Sequence, residues 1–251
     1  MIPIMRLYLI RHCESENNAL WARTGSGDGR SADPLLTPKG EKQADVLAAY
    51  LAASREQSSA PFEGGPLRGG LIITHLYTSL MRRAIQTGLA ISGALDLPLA
   101  AWPEIHERGG IYLKNPQTGE EEGFPGPNRA FFEVNYPDLQ LPGSLNDQGW
   151  WNRPYEQRDA ALGRADIVLR TLMERHGGTA DHVALVTHGG FTQSLLQTLF
   201  NISADGSQFS GERFVWLKFN NGAITRIDIT DEVLRLGYLN YVDYMPGALL
   251  T

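Results

Sequence analysis

The sequence predicts an α/β fold, a three-layer αβα sandwich with a mostly parallel central sheet and a loop-rich cap insertion. Three observations predict it. Short continuous apolar runs read as strands buried on both faces. Segments with helix start signals and helical apolar spacing alternate with them. One long stretch between the second and third runs carries many Gly, Pro and aromatic residues and little periodicity.

Residues 6–10 (RLYLI) form the first expected strand, 71–77 (LIITHLY) the second and 182–187 (HVALVT) the third. Thr37-Pro38 supplies an N-cap and a proline at the first helical position, and Ala44, Leu47, Ala48 and Leu51 then make one apolar stripe. A second helix is expected over about 157–176, with Leu162, Ala165, Leu169, Leu172 and Met173 on one face and Gly177-Gly178 ending it. Further helices start after Ser79 and after Gly190. Residues 214–219 and 224–229 flank Asn220-Asn221-Gly222, a hairpin signal that adds antiparallel pairing at one side.

Two segments break the alternation. Residues 54–70, rich in Ser, Gly and Pro, read as a mobile surface loop. The stretch over about 109–157 reads as a cap or lid on one domain that spans 1–251.

The formal net charge of −6 argues against a nucleic-acid partner, which would need a basic face. No apolar run is long enough to span a bilayer, and the opening one is too short for a signal-peptide core, so a soluble, cytoplasmic protein with no membrane partner is expected. A single cysteine, Cys13, excludes an intrachain disulfide and a cysteine-built zinc site. No metal-ligand spacing stands out either, and neither metal nor other cofactor is expected.

Polar residues at the ends of parallel strands are where α/β proteins place ligands. The first strand runs into Arg11-His12, the second into Ser79 and a helix whose first turn holds Arg82 and Arg83, and the third into His188-Gly189-Gly190. Two histidines and at least two arginines thus converge on one sheet edge. Helix starts there add backbone N–H groups and a positive dipole end. Guanidinium forks match phosphate oxygens well, so the edge suits a phosphate dianion.

These blocks carry a resemblance. Leu9-Ile10-Arg11-His12-Cys13-Glu14-Ser15 with Asn18 is similar to the signature of the histidine phosphatase (phosphoglycerate mutase-like) superfamily, with Cys13 where that family usually has glycine. The block from Asp33 to Gly40 with Gln43-Ala44, the block Ser79 to Thr87, Ile105-His106-Glu107-Arg108, and Val186-Thr187-His188-Gly189-Gly190 resemble four further family blocks, in the family's order. The resemblance implies that His12 attacks phosphorus as a neutral imidazole and forms a phosphohistidine. It assigns Arg11, Arg83 and His188 to the non-bridging oxygens, with Asn18 and the Gly189 N–H as further donors. Glu107 takes the role of proton donor to the leaving oxygen, then of base toward water; Glu104, one turn earlier, is its alternative. Arginines do the neutralising, so no metal is implied.

The implied substrate is a small phosphomonoester. Hydrolysis by a phosphatase is the leading reading, since mutases of the family usually carry Asn where Gly190 stands; a phosphoglycerate mutase and a non-catalytic phosphate-binding module are the alternatives. A cysteine phosphatase is excluded, because the arginine of a Cys-x5-Arg loop would fall on Ala19. Residues 25–29 (GSGDG) lack the nucleotide-loop spacing and follow no strand, and read as a turn near the pocket mouth. Within the cap, Trp150, Trp151 and Tyr155 are expected to pack the lid, Arg129 and Arg153 are weighed as readers of a second anion, and 120–122 reads as an exposed acidic turn.

Overall fold

In the computed structural model the described residues are 5–57, 71–201, 216–230 and 232–251. Their core is a seven-stranded sheet of order β6-β3-β2-β7-β1-β8-β9. Strand β1 (Met5–Arg11) lies near its centre, parallel to β7 (Asp181–Thr187) and antiparallel to β8 (Ile224–Ile229). Strands β2 (His75–Thr78), β3 (Leu99–Ala101) and β6 (Leu139–Gln140) extend the parallel part, and β9 (Leu234–Tyr241) closes the antiparallel side.

The continuous apolar strands work because each feeds two cores. Tyr8, Ile10, Ala184 and Val186 face one apolar cluster, while Leu7, Leu9, Val183 and Leu185 face the other. Successive strand side chains point to opposite faces, so both layers of helices find an apolar floor. Helices α2 (Pro38–Gln57) and α3 (Arg82–Leu95) cover the first face, the former through Ala44, Leu47 and Leu51. Helices α5 (Arg158–His176) and α6 (Gly189–Leu199) cover the second. Each buried Leu or Ile contributes roughly 1.5–3 kcal/mol of transfer free energy.

Several expectations shift. The second strand begins only at His75; Leu71 and Ile73 are buried but precede the ladder. The hairpin is β8–β9, not 214–229. Asn221-Gly222 does turn, with Gly222 at φ +76°, but the residues from Trp216 to Asn220 form no strand, and Phe214 and Val215 lie outside the described residues. Their place beside β8 is taken by β1 on one side and β9 on the other. Helix α5 buries Ala161, Arg164, Ala165, Val168, Leu172 and His176, whereas Met173 is exposed and Leu162 and Leu169 only half-buried. The face is rotated because Arg164 holds a core-facing position: its guanidinium binds the Glu156 carboxylate and the carbonyls of Glu104 and His106.

Residues 54–57 continue α2 rather than opening a loop, and the rest of that expected loop, 58–70, lies outside the described residues. The stretch 109–157 is more ordered than its composition suggests. It holds an exposed ribbon of β4 (Tyr112–Lys114) and β5 (Glu121–Gly123), a helix α4 (Arg129–Asn135), and β6, which joins the main sheet beside β3. Helix α1 (Glu16–Thr24) escaped sequence reading because it buries no residue and has no apolar stripe. A capping box nucleates it, with Ser15 and Asn18 each bonded to the other's backbone, a device worth about 1 kcal/mol.

Candidate active site

Register assembles the site. Arg11 pairs with Thr187, and the His12 N–H then donates to the Thr187 carbonyl at 2.9 Å, so His12 and His188 leave the ladder side by side. Their rings lie 5.0 Å apart. Thr78 pairs with Val186, which brings Ser79 next to them; Ser79 Oγ is 2.7 Å from His188 Nε2. Three strand ends therefore meet at one place without any loop search.

His12 is buried, and its Nδ1 lies 2.7 Å from the Cys13 carbonyl. A carbonyl only accepts, so Nδ1 carries the proton and Nε2 presents its lone pair. Arg83 Nε donates to that Nε2 at 3.1 Å. Burial, then the charges of Arg83 and Arg11, hold the His12 pKa well below the ordinary histidine range, and the ring is neutral at neutral pH. Cys13 keeps its side chain in the core on the α2–α3 face, where burial pushes its thiol up to about 12, and its N–H donates to Thr87 Oγ1. The residue in the usual glycine position thus packs behind the pocket and is an inert thiol.

His188 is fully buried, with its pKa likewise depressed by burial and by Arg83. Its Nδ1 is buried without a hydrogen-bond partner. Arg83 is buried, contacts Met81 Sδ through Nη2, and has Asp33 Oδ1 4.0 Å from Nη1. Burial raises the Asp33 carboxyl to about 6 against the pull of Arg83. Asp33 Oδ1 also accepts the Arg82 backbone N–H, while the Arg82 guanidinium stacks over Phe131 instead of pairing with a surface carboxylate.

Arg11 donates through Nη1 to the Phe219 carbonyl, and its buried Nε has no partner. Gly189 sits against it, since a Cβ there would lie 3.5 Å from that Nε. Asn18 Oδ1 accepts from the Ser15 backbone, the Ser15 hydroxyl and Asn221 Nδ2, which leaves its amide NH2 as the end offered to the cavity. Asn221 also donates to the His12 carbonyl at 3.0 Å. Sequence reading took Asn221 only as a turn residue, and nothing in its local pattern could show that it ties His12 to Asn18.

Glu107 rests on the start of α6. Oε1 accepts the N–H groups of Arg108 and Phe191, and Oε2 that of Gly190. A Cβ on residue 190 would fall 2.5 Å from Oε1, so the carboxylate occupies space that only glycine leaves. The alternative, Glu104, is exposed and does not line the cavity.

Arg11, Asn18, Glu107, Gly189 and Gly190 also line a cavity of about 560 Å³, whereas His12, Arg83 and His188, the buried floor of the site, are not among its lining residues. Trp21, Arg30, Arg108, Tyr112, Tyr155, Trp216 and Lys218 complete its wall, with Gly27 from the glycine-rich turn. The Arg30 guanidinium lies 4.0 Å over the Tyr112 ring. Of the cap aromatics, Tyr155 reaches the cavity, while Trp151 is buried against Met81 and Ile111 beneath it. Neither cap arginine lines it. Arg129 binds the carbonyls of Leu145 and Pro142, and Arg153 stacks on Trp151 at 4.1 Å. Glu120, Glu121 and Glu122 are exposed on the β4–β5 ribbon.

Residues 64–241 match the family model described as the histidine phosphatase superfamily (branch 1). The chain belongs to that superfamily. It is therefore a phosphoryl-transfer enzyme, a phosphatase or a mutase of the phosphohistidine type. The matched residues include Arg83, Glu107 and His188, with Arg11 and His12 before them. The chain is 26% identical to a 2,3-bisphosphoglycerate-dependent phosphoglycerate mutase of Caulobacter vibrioides over 79% of its own length and 81% of the relative's. It is also 26% identical to a putative phosphoserine phosphatase 2 of Hydrogenobacter thermophilus, over 94% and 95%. In fold it is similar to a mycobacterial glucosyl-3-phosphoglycerate phosphatase complexed with VO3, with a TM-score of 0.57 and 16% identity, covering 94% of this chain and 99% of that one. No described helix is long and apolar enough to cross a membrane.

Proposed function

We propose that the protein is a phosphatase for small phosphomonoesters that carry a carboxylate, and that His12 is its nucleophile. The observation that carries this reading is the state of His12: buried, neutral, its tautomer fixed by Cys13, and its Nε2 lone pair held against Arg83. A phosphate arriving there draws the Arg83 guanidinium onto its oxygens and uncovers Nε2 for in-line attack. Arg11, whose Nε lacks a partner, and His188, whose Nδ1 lacks one, take the remaining oxygens together with the Asn18 amide and the Gly189 N–H. Such a set neutralises the dianion without a metal.

Glu107 protonates the leaving oxygen and then activates water. Its three backbone N–H partners hold it in one place. Gly190 supports hydrolysis over isomerisation, because mutases of the family usually carry Asn at that position. The carboxylate preference rests on Arg30, Arg108 and Lys218 at the upper wall, and on relatives named for phosphoserine and phosphoglycerate chemistry. A single domain over 1–251, with 109–157 as its cap, and a cytoplasmic location fit this reading.

The test is phosphate release from phosphoserine, 3-phosphoglycerate and carboxylate-free monoesters, by wild type and by His12→Ala. Release that favours the carboxylates and vanishes in the variant supports the proposal. Isomerisation of 3-phosphoglycerate without release would replace the phosphatase with a mutase.

A further inference from the structure

The edge of the sheet opposite the pocket holds a second cluster of chemistry-bearing side chains. His75 opens β2, Asp181 opens β7, and His176 ends α5. β7 runs from Asp181 to Thr187, so at about 3.3 Å per residue the cluster lies roughly 20 Å from the paired histidines. One ligand atom from each of the three lies within 4.8 Å of the others.

We propose that His75, His176 and Asp181 form a binding site for a divalent transition-metal ion, with Zn2+ the best match. Two imidazoles and one carboxylate are a donor set suited to this borderline-soft ion. At Zn–N and Zn–O distances near 2.0–2.1 Å, tetrahedral donors stand about 3.3 Å apart. Asp181 Oδ2 is 2.9 Å from His176 Nδ1 and 3.8 Å from His75 Nδ1, separations that bracket this value.

The outer partners are in place as well. Tyr77 Oη lies 3.1 Å from His176 Nε2. Metal binding at Nδ1 selects the neutral tautomer with its single ring proton on Nε2, and that N–H donates to the tyrosine oxygen. His75 Nδ1 also contacts the Thr74 hydroxyl at 2.9 Å, a contact Thr74 can give up because its hydroxyl can donate instead to the His182 carbonyl 3.2 Å away. His176 is nearly fully buried and Asp181 mostly so, whereas the His75 side chain is 42% exposed, which gives the ion an entry side and room for a water as fourth ligand. The Arg175 guanidinium stacks over Trp102 at 4.5 Å. A bound ion would join the starts of two strands to the end of α5, which makes its role structural and separate from phosphoryl transfer. Sequence spacing could not show the cluster, because its members come from three elements.

Titration of wild type, His75→Ala, Asp181→Asn and His12→Ala with Zn2+ in a calorimeter tests this. Wild type and His12→Ala are expected to bind one equivalent alike, with affinity reduced at least about tenfold in His75→Ala and Asp181→Asn. Co2+ in place of Zn2+ should give visible absorption that His75→Ala abolishes, while phosphate release by His75→Ala stays at the wild-type rate. His75 is half-exposed, so its removal leaves the fold intact and the comparison readable. Absence of saturable binding by wild type would overturn the proposal. So would binding that His12→Ala loses and His75→Ala keeps, since the ion would then sit between His12 and His188.

Discussion

The floor and the upper wall of the pocket are built by different means. The floor comes from strand register: two ladders fix Ser79, His12 and His188 in a row, and the residues are buried in one arrangement. The wall comes from loops and short elements at 21–30, 108–112, 155 and 216–218, with exposed aromatics such as Trp21 and Trp216. A register shift would turn strand side chains to the other face, so the floor is rigidly specified. Loops carry no such constraint. The reaction should therefore be set by the sheet and selectivity by the wall. Floor substitutions should lower turnover of every substrate, and wall substitutions should discriminate among them.

Arg83→Gln should have the largest effect. Loss of one preorganised charge donor is expected to lower kcat by about 10²–10³-fold for all monoesters. It also removes a cause of the depressed His12 pKa. Protonated His12 cannot attack, so wild-type kcat/KM should hold down to pH well below the ordinary histidine range. The His12 acid limb should move up toward that range in the variant. An unmoved limb would separate Arg83 from His12.

Gly190→Ala comes next. Its Cβ falls on Glu107 Oε1, and displacing the proposed proton donor by about 1 Å should cost on the order of 10²-fold in kcat. Steady-state kinetics on leaving groups of different acidity would check it: the loss should shrink for leaving groups that need no protonation. Arg30→Ala, on the wall, should raise KM by about tenfold for carboxylate-bearing monoesters, as loss of one charged contact would, and leave simple monoesters unchanged. An equal change for both classes would erase the contrast between wall and floor.

Stability should respond to pH through Asp33. Asp33 has a folded-state pKa raised from 3.8 to about 6, mainly by burial. Its stabilising contribution is therefore full below its unfolded pKa and is lost as pH rises through about 6. Relative to Asp33→Asn, wild type should lose on the order of 1–3 kcal/mol between about pH 4 and pH 6.5. Denaturant unfolding of both proteins across that range measures it, and parallel profiles would place Asp33 in a more solvated setting.

Much of the floor was legible from sequence because strand ends announce themselves. An apolar run that stops at Arg11-His12 or at Thr187-His188 fixes both the element and the position of its polar residue. Parallel pairing of such strands then needs only register to assemble the site. What escaped were features without periodicity. Helix α1 is held by a capping box rather than an apolar stripe, and α5 turns because a paired arginine fills a core position. Asn221 works through side-chain bonds to residues some 200 positions away, and the hairpin expected at Asn220-Asn221-Gly222 misled because the same dipeptide chemistry serves a non-strand turn. The wall residues Arg30 and Tyr112 meet only because separate loops converge.

Rapid acid-free quenching during turnover of phosphoserine, followed by peptide mass spectrometry, reads directly whether His12 carries the phosphoryl group. Phosphoryl transfer through His12 predicts an acid-labile phosphoryl group on the peptide that contains His12, absent from His12→Ala. Turnover with no covalent adduct, or an adduct on His188 instead, would contradict it.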